Sequence, residues 1–519
     1  MLQARYGYNV DMQSDWQEHL VLSSHTKRKG YGAVVNSQSS FDTRLRIRIV
    51  WAGFVAALFF VLSKIVYLQL IEGGQHQLSA YTNHIELIKE EAPRGKIRDR
   101  SGKEIRKDPA TVQVVGYLAQ VTPEEVRCKE GICYGPGMMI GRAGIERVKE
   151  TTLKGKDGGR LIEVDAGGRE VRELGNNKSE GGSDVQLSID DGLQHIAYEA
   201  LGGKKGSVVA IDMQGKALAL VSSPSYDPSE IAKYLQDTKE LYFLNRAIAG
   251  AYPPGSIYKL VTGLAGLSEK VITKESVFED TGEIKIGNYR YGNWYFDKYG
   301  RTEGGVNLVK ALSRSNDIYF YKVGEELGVE KLVAWSKKMG LGEKTGIELP
   351  GERAGLVPDR LYKERTTGEK WFLGNTYHMA IGQGDLLVTP IQAARMTLAT
   401  ISGRLCKISV LKGGNVDCSD LGLATADIAT VKEGMQGACA TGGTAYPFFN
   451  YAPWVVCKTG TAQHAGQLTD LDMAHAWIAV AYPGENPEMV LIVMLEAAGE
   501  GSAEAGPVAK EILDKWRGM

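Results

Sequence analysis

Tyr252-Pro-Pro-Gly-Ser-Ile-Tyr-Lys259 runs directly into the apolar stretch Leu260-Val-Thr-Gly-Leu-Ala-Gly-Leu267. Two prolines and a glycine turn the chain tightly, and the apolar stretch has helical spacing, so Ser256 is expected at a helix N-terminus. Lys259 follows three residues later, and residues at i and i+3 share a helix face, which brings the amine within reach of the hydroxyl. An alcohol is a weak nucleophile until a neighbouring base takes its proton, and a desolvated lysine can be that base. The helix N-terminus also favours the negative charge that develops in acyl transfer. Alone, Ser-x-x-Lys says little. A chain of this length holds about two by chance at ordinary residue frequencies, and Ser24-His-Thr-Lys27 is another, in a polar stretch. The turn, the helix and two motifs downstream set the copy at Ser256 apart.

Ala311-Leu-Ser-Arg-Ser-Asn-Asp-Ile-Tyr-Phe-Tyr321 carries a polar triplet, Ser315-Asn316-Asp317, before an apolar helix. A polar N-cap before an apolar helix fits these three residues but not the ordered set of motifs. Lys-Thr-Gly occurs twice. Lys344-Thr-Gly346 sits between a helical stretch and a Pro-Gly turn and reads as a connection, whereas Lys458-Thr-Gly-Thr461 follows the strand-like Pro453-Trp-Val-Val-Cys457. On a strand edge, Lys458 and Thr459 can bind a carboxylate, and Gly460 lets another backbone approach closely.

The ordered set Ser256-x-x-Lys259, Ser315-x-Asp317 and Lys458-Thr459-Gly460-Thr461 resembles the pattern shared by penicillin-binding proteins and serine β-lactamases. Pro93-Arg-Gly95 with Ile97, Asp99-Arg100 and Gly102 is similar to the signature that follows the membrane anchor in class B penicillin-binding proteins, the monofunctional cell-wall transpeptidases. Gly144-Ile-Glu146, Leu153-Lys-Gly155 and Val164-Asp-Ala-Gly-Gly-Arg169 resemble the rest of that family's pedestal, or dimerisation-like, domain. The resemblance covers roughly residues 60–519. It implies a peptidoglycan D,D-transpeptidase in which Ser256 attacks the D-Ala-D-Ala carbonyl of a stem peptide, and β-lactams mimic that donor. It further implies Lys259 as base and Ser315 as proton relay, with Asp317 bonding Lys259 or the substrate amide. Lys458, Thr459 and Gly460 bind substrate, and the N–H groups of Ser256 and Thr461 form an oxyanion hole. Asp317 stands where Asn is commoner, and an ionised Asp317 favours a protonated Lys259, against its role as base. Cys457 stands where relatives usually have Gly, either as a packing variant or as half of a disulfide. Some relatives bind a metal near this site through His and Cys. Between Ser256 and Tyr377 this chain has neither, so no metal and no cofactor are expected.

Composition agrees with this class. The chain is 43% hydrophobic and 24% charged with a net charge of −1, which suits two or three globular domains and gives no basic face for nucleic acid. Ile49 to Ile71 contains only Lys64 as a charge and is long enough to span a bilayer. Arg44, Arg46 and Arg48 precede it, so the positive-inside rule places residues 1–48 in the cytoplasm and the rest outside. A cleaved signal peptide is the competing reading, against which stand the long polar leader and the lack of an Ala-x-Ala site. All six cysteines lie in the exported part, where disulfides persist. Cys128 with Cys133, Cys406 with Cys418, and Cys439 with Cys457 are candidate pairs, with free buried thiols as the alternative.

The expected fold is α+β: a cytoplasmic tail (1–48), a transmembrane helix (49–71), a β-rich pedestal (72–183) and a transpeptidase domain (184–519) with a five-stranded antiparallel sheet. In the last domain Asp184 to Asp190 reads as an opening strand, Gly206 to Ile211 and Ala217 to Ser222 as a hairpin around the turn Asp212-Met-Gln-Gly215, and Phe278 to Gly305 as loops lining one side of a cleft. Strands at both ends of the domain, with helices between, suggest one sheet built from distant parts. The interval between anchor and catalytic domain is too short for a glycosyltransferase. The resemblance therefore implies a membrane-embedded RodA/FtsW-type polymerase as partner, alongside peptidoglycan strands and membrane lipid. Gly355-Leu-Val-Pro-Asp359, Trp371-Phe-Leu-Gly-Asn-Thr376 and the Ser-x-Asp variant look more like the elongation enzymes than the septal ones. A β-lactamase, a β-lactam sensor and a non-catalytic scaffold are the rival functions.

Overall fold

The computed structural model describes residues 40–75, 84–126, 128–129, 132–165, 167–463 and 474–518. Most of the expected cytoplasmic tail lies outside the described residues. The chain divides into two compact units, one of residues up to Glu86 with Val164–Arg169, the other of Leu87–Glu163 with Glu170–Met519.

In the first unit, Ser40–Leu70 is a single helix. Its portion Arg44–Leu70 is long and apolar enough to cross a bilayer, and at about 1.5 Å per residue it reaches roughly 40 Å. Val50, Phe59, Phe60 and Leu70 are exposed on it, as the surface of a lipid-facing helix requires. The helix begins at Ser40 rather than Ile49, so Arg44, Arg46 and Arg48 are helical.

The early part of the second unit combines the paired strands Gly158–Val164 and Glu170–Asn177 with shorter strands and single-turn helices. The Arg94 guanidinium explains part of the Pro93-Arg-Gly95 signature: its Nε donates to Glu146 Oε2 (2.9 Å) and its Nη2 to Glu150 Oε2 (2.6 Å). Glu146 is nearly inaccessible, so the pair fixes this turn against the helix Gly144–Val148. The stretch 184–190, expected as a full strand, is extended only over Val185–Gln186, which pairs in parallel with Ile97–Arg98. Beyond it, the Ser188 N–H donates to the Val410 carbonyl (2.8 Å). This segment joins neighbouring parts instead of lengthening a sheet.

The catalytic-type sheet has five strands: β1 (Gly206–Asp212), β2 (Ala217–Ser223), β3 (Val456–Ala462), β4 (His475–Tyr482) and β5 (Met489–Leu495). Their order is β2-β1-β5-β4-β3, all antiparallel. The first two come from one hairpin, closed where Asp212 Oδ1 accepts the N–H groups of Gln214 (2.9 Å) and Lys216 (2.8 Å). Side chains alternate across a strand, and both faces of this sheet are apolar. Val208, Ala210, Ile478, Val480, Leu491 and Val493 pack with α1 (Asp191–Leu201) and α6 (Gly506–Arg517). Val209, Ile211, Ala479, Val490 and Ile492 instead face the larger core. That core contains α2 (Lys259–Ser268), α3 (Asp317–Lys338), α4 (Pro390–Ser402) and α5 (Thr425–Cys439). Burial on both faces explains why these strands read as continuous hydrophobic runs.

Two disulfides close among the described cysteines, Cys406–Cys418 and Cys439–Cys457. The second ties the end of α5 to β3, so Cys457 is a disulfide half and not a packing variant. Cys128 and Cys133 face each other across a short antiparallel pair, and their side chains lie outside the described residues.

Candidate active site

Three segments of separate origin meet on the larger core's side of the sheet. The first is the turn before α2. Gly255–Tyr258 forms a 3-10 turn that runs into α2. The Gly255 N–H donates to the Gly382 carbonyl (2.8 Å), and Tyr252 exchanges both backbone hydrogen bonds with Val388. Gly255 has φ +55°, and a Cβ there would stand 2.6 Å from the Thr461 carbonyl oxygen. Only glycine combines that backbone with that approach, so the turn is pressed against the edge of β3.

The second segment is the helix junction before α3. Ser315 caps the helix Leu308–Arg314 in a left-handed conformation, φ +55°, which is sparsely populated outside glycine and recurs where function constrains the backbone. Asn316 is the N-cap of α3, its Oδ1 accepting the Tyr319 N–H (3.0 Å). This cap fixes the frame in which Ser315 and Asp317 both turn toward Lys259. The third segment is β3, the edge strand that carries Lys458, Thr459, Gly460 and Thr461.

Their polar atoms form one chain. Lys259 Nζ donates to Asp317 Oδ1 (2.6 Å), the Ser315 carbonyl (2.8 Å) and Ser315 Oγ (3.3 Å). Lys458 Nζ donates to Ser315 Oγ (2.9 Å) and the Thr459 carbonyl (3.1 Å). Ser315 Oγ is thus shared by two lysines. Above them opens a cleft of ≈ 1530 Å³, lined by Ser256, Ser315, Asp317, Thr459 and Thr461 among others, while both lysines lie beneath its surface. Among the described hydrogen bonds none joins Ser256 Oγ to Lys259. The amine expected on the hydroxyl is turned toward Asp317 and Ser315.

Burial acts on both amines in the same direction. Complete desolvation pulls Lys259 below the usual lysine range, and the Asp317 carboxylate opposes that without cancelling it. Lys458 falls further: it too is fully buried, and the nearby Lys259 adds repulsion that Asp317 only partly offsets. Desolvation thus works against the hold of Asp317 on the Lys259 proton.

The edge position of β3 exposes backbone donors. The Thr461 carbonyl accepts from Gln383 Nε2 (3.2 Å), so it points off the sheet. In an antiparallel strand the N–H of a residue points the same way as its C=O. The Thr461 N–H therefore faces the Gly255-Ser256 turn, and Thr459, two residues earlier, shares its orientation. Thr459 Oγ1 also bonds Thr444 Oγ1 (2.8 Å). Lys344-Thr-Gly346 is elsewhere, with the Thr345 N–H and Oγ1 both donating to Glu352 Oε1 (2.6 Å each), as befits a connection.

Sequence reasoning placed Phe278 to Gly305 along one wall of the cleft, and Tyr291, Trp294 and Tyr295 do line it. It missed that the Trp294 N–H donates to Asp317 Oδ2 (3.0 Å) and that Gln383 reaches β3. Backbone contacts of this kind carry no residue signature.

A family model of the penicillin-binding protein transpeptidase domain matches residues 206–514, and one of the penicillin-binding protein dimerisation domain matches 104–187. The peptidoglycan D,D-transpeptidase MrdA of Acinetobacter baumannii is 30% identical over 442 residues, 78% of this chain and 64% of that protein. The chain thus spans somewhat less than two thirds of that relative's length. The crystal structure of Pseudomonas aeruginosa PBP2 in complex with WCK 5153 superposes with a TM-score of 0.72 at 32% identity, over 83% of this chain and 96% of that one. A chain from a peptidoglycan synthase complex, described as coordinating polymerization and crosslinking, gives 0.74 at 26%, over 91% and 98%. With the transpeptidase match covering more than half of its length, this chain belongs to the penicillin-binding protein transpeptidase family.

Proposed function

We propose that the protein is a serine-type peptidoglycan D,D-transpeptidase serving cell elongation. The observation that carries this is the pair of desolvated lysines meeting at Ser315 Oγ beneath a cleft into which Ser256 opens. Ser256 Oγ attacks the carbonyl of the penultimate D-Ala of a donor stem peptide, and its proton passes to Lys259. The N–H groups of Ser256 and Thr461 hold the oxyanion. On collapse the bond to the terminal D-Ala breaks, and its amine takes a proton relayed through Ser315 from the lysines. An acceptor amine then attacks the acyl-enzyme, and Ser256 recovers its proton. Water in the acceptor's place gives carboxypeptidase side activity. A β-lactam acylates Ser256 in the same way, but its leaving amine stays tethered and blocks the acceptor.

The elongation role rests on the MrdA and PBP2 names of the relatives and on the segments Gly355–Asp359 and Trp371–Thr376. The arginines at the N-terminal end of the apolar helix favour a cytoplasmic N-terminus and an exported catalytic domain. Residues 72–183 act as pedestal and 184–519 as catalytic domain, and a RodA/FtsW-type polymerase supplies the glycan.

The test is labelling of the full chain in detergent with a fluorescent penicillin, read by gel and intact mass. Wild type should carry one label for many minutes, and Ser256→Ala none. Rapid loss of label with drug hydrolysis would make the protein a β-lactamase. Absence of label on folded wild type would overturn the enzymatic reading.

A further inference from the structure

Behind the second motif lies a buried cluster with no part in the relay. Asp280, Asn293, Asn316 and Glu303 come from four places in the chain, and the first three are at most 3% exposed. Asp280 Oδ2 is the centre. It accepts from Asn293 Nδ2 (2.9 Å), Asn316 Nδ2 (3.0 Å) and the Glu303 N–H (3.0 Å), while Oδ1 accepts the Gly282 N–H (2.9 Å). Glu303 Oε2 also accepts from Asn316 Nδ2 (3.2 Å), and its Oε1 from Arg314 Nε (2.6 Å). Both asparagine amides are fixed in orientation, because their nitrogens serve Asp280 while their oxygens accept backbone N–H groups. Asn293 Oδ1 takes the N–H of Asp317 (3.1 Å), and Asn316 Oδ1 takes that of Tyr319.

The cluster thus ends on Asp317 from two sides. Asn293 holds its backbone, and the next residue, Trp294, gives its N–H to Oδ2, leaving Oδ1 for Lys259. One carboxylate with four donors sets where the other carboxylate points. We propose that Asp280 is a positioning residue for the acylation step, which through Asn293 and Trp294 holds the Asp317 carboxylate on Lys259 and so sets the pH at which that amine is a competent base.

Lys259 is faced by Asp317 and Lys458 and by the ring of Phe320. Tyr321 also feels Asp317. Glu303 and Arg314 form an ion pair beside the cluster. Among these only Asp317 raises the Lys259 amine. Loosening it therefore lowers the pH at which Lys259 loses its proton.

This inference rests on the proposed acyl-transfer function and is tested on the full chain by the pH dependence of penicillin acylation. Asp280→Asn keeps the shape but sets an amide nitrogen against existing donors. The expected result is a first-order acylation rate at least tenfold slower at neutral pH with the prior penicillin dissociation constant changed less than threefold. The acid limb of the rate profile should also move down by about one pH unit, at the low end of shifts from a neighbouring charge. A role confined to folding would scale the profile without moving the limb, and that outcome overturns the proposal, as does an unchanged rate. Asn293→Ser, which cuts the link to Asp317 but leaves Asp280 paired with Asn316, must shift the limb in the same direction. It decides the matter if Asp280→Asn does not fold. Failure of wild type to acylate would instead remove the functional reading on which this one stands.

Discussion

Replacing Lys458 with methionine should separate catalysis from stability. Lys458 is fully buried, its amine is driven well below its ordinary pKa, and it makes two hydrogen bonds, to Ser315 Oγ and the Thr459 carbonyl. Two hydrogen bonds of ordinary strength are worth about 1–3 kcal/mol in total. Methionine has similar length, fills the same volume, and removes a buried polar group whose desolvation costs a comparable ~1–3 kcal/mol. Ser315 Oγ keeps Lys259 as a partner at 3.3 Å. The net change is therefore within about 1 kcal/mol, or roughly 2–4 °C in Tm for a domain of this order of size. Catalysis has no such offset, because nothing else described here donates to Ser315 from the β3 side. Loss of one proton-relay group should slow acylation by about 10² to 10⁴. The assay is stopped-flow penicillin acylation of Lys458→Met beside thermal unfolding of the same sample. Acylation within threefold of wild type would refute the relay. A Tm loss above about 10 °C, several times the offset estimate, would show that the lysine is structural.

Gly255→Ala must place a Cβ 2.6 Å from the Thr461 oxygen at φ +55°. It should destabilise by about 1–3 kcal/mol and slow acylation more than tenfold by displacing Ser256 from β3, measured by the same two assays. His195 in α1 bonds Asp108 Oδ2 (2.9 Å) and the Asp191 carbonyl (2.7 Å). Burial pulls the imidazole down, but these contacts outweigh it and leave His195 raised, while burial of Asp108 is outweighed by His195 and leaves that carboxyl lowered. The His195 contribution to stability is fully present below the unfolded imidazole value of about 6.5 and fades as pH rises through the raised folded value. The Asp108 contribution fades instead as pH falls below about 4. His195→Gln should accordingly lower Tm more at pH 6 than at pH 9 in thermal melts, and an equal loss at both would refute the pairing.

What could be read from sequence was whatever repeats a local rule. The hairpin of β1 and β2 showed through its Asp212-to-Gly215 turn between apolar runs. The frame of Ser315 and Asp317 showed through the resemblance, because Ile318-Tyr-Phe-Tyr321 follows the triplet as it follows the motif in relatives. The stretch 184–190 misled because apolar alternation does not say which partner a segment finds, and here Val185–Gln186 pair with Ile97–Arg98 while Leu187 bridges Leu411. Local spacing likewise speaks only for the near neighbours of Lys259. Helical spacing puts Ser256 within its reach, whereas its bond to Asp317, 58 residues away, was legible only through the family resemblance. The Asp280 cluster left no trace, since its members are 13 to 36 residues from Asp280 and obey no period.

The edge of β3 has a consequence for how molecules of this protein meet one another. An unpaired strand edge invites a second chain to add on, and long flat edges are sites of aggregation. Here the outward carbonyls of Thr459 and Thr461 are already occupied, by Lys458 and Gln383, while Gly255 crowds the same flank. What remains to offer is a pair of N–H donors with no matching acceptors beside them. A full strand from another copy would find half of its ladder missing, but a short acyl peptide asking for donors alone would not. The edge is open to the second and closed to the first.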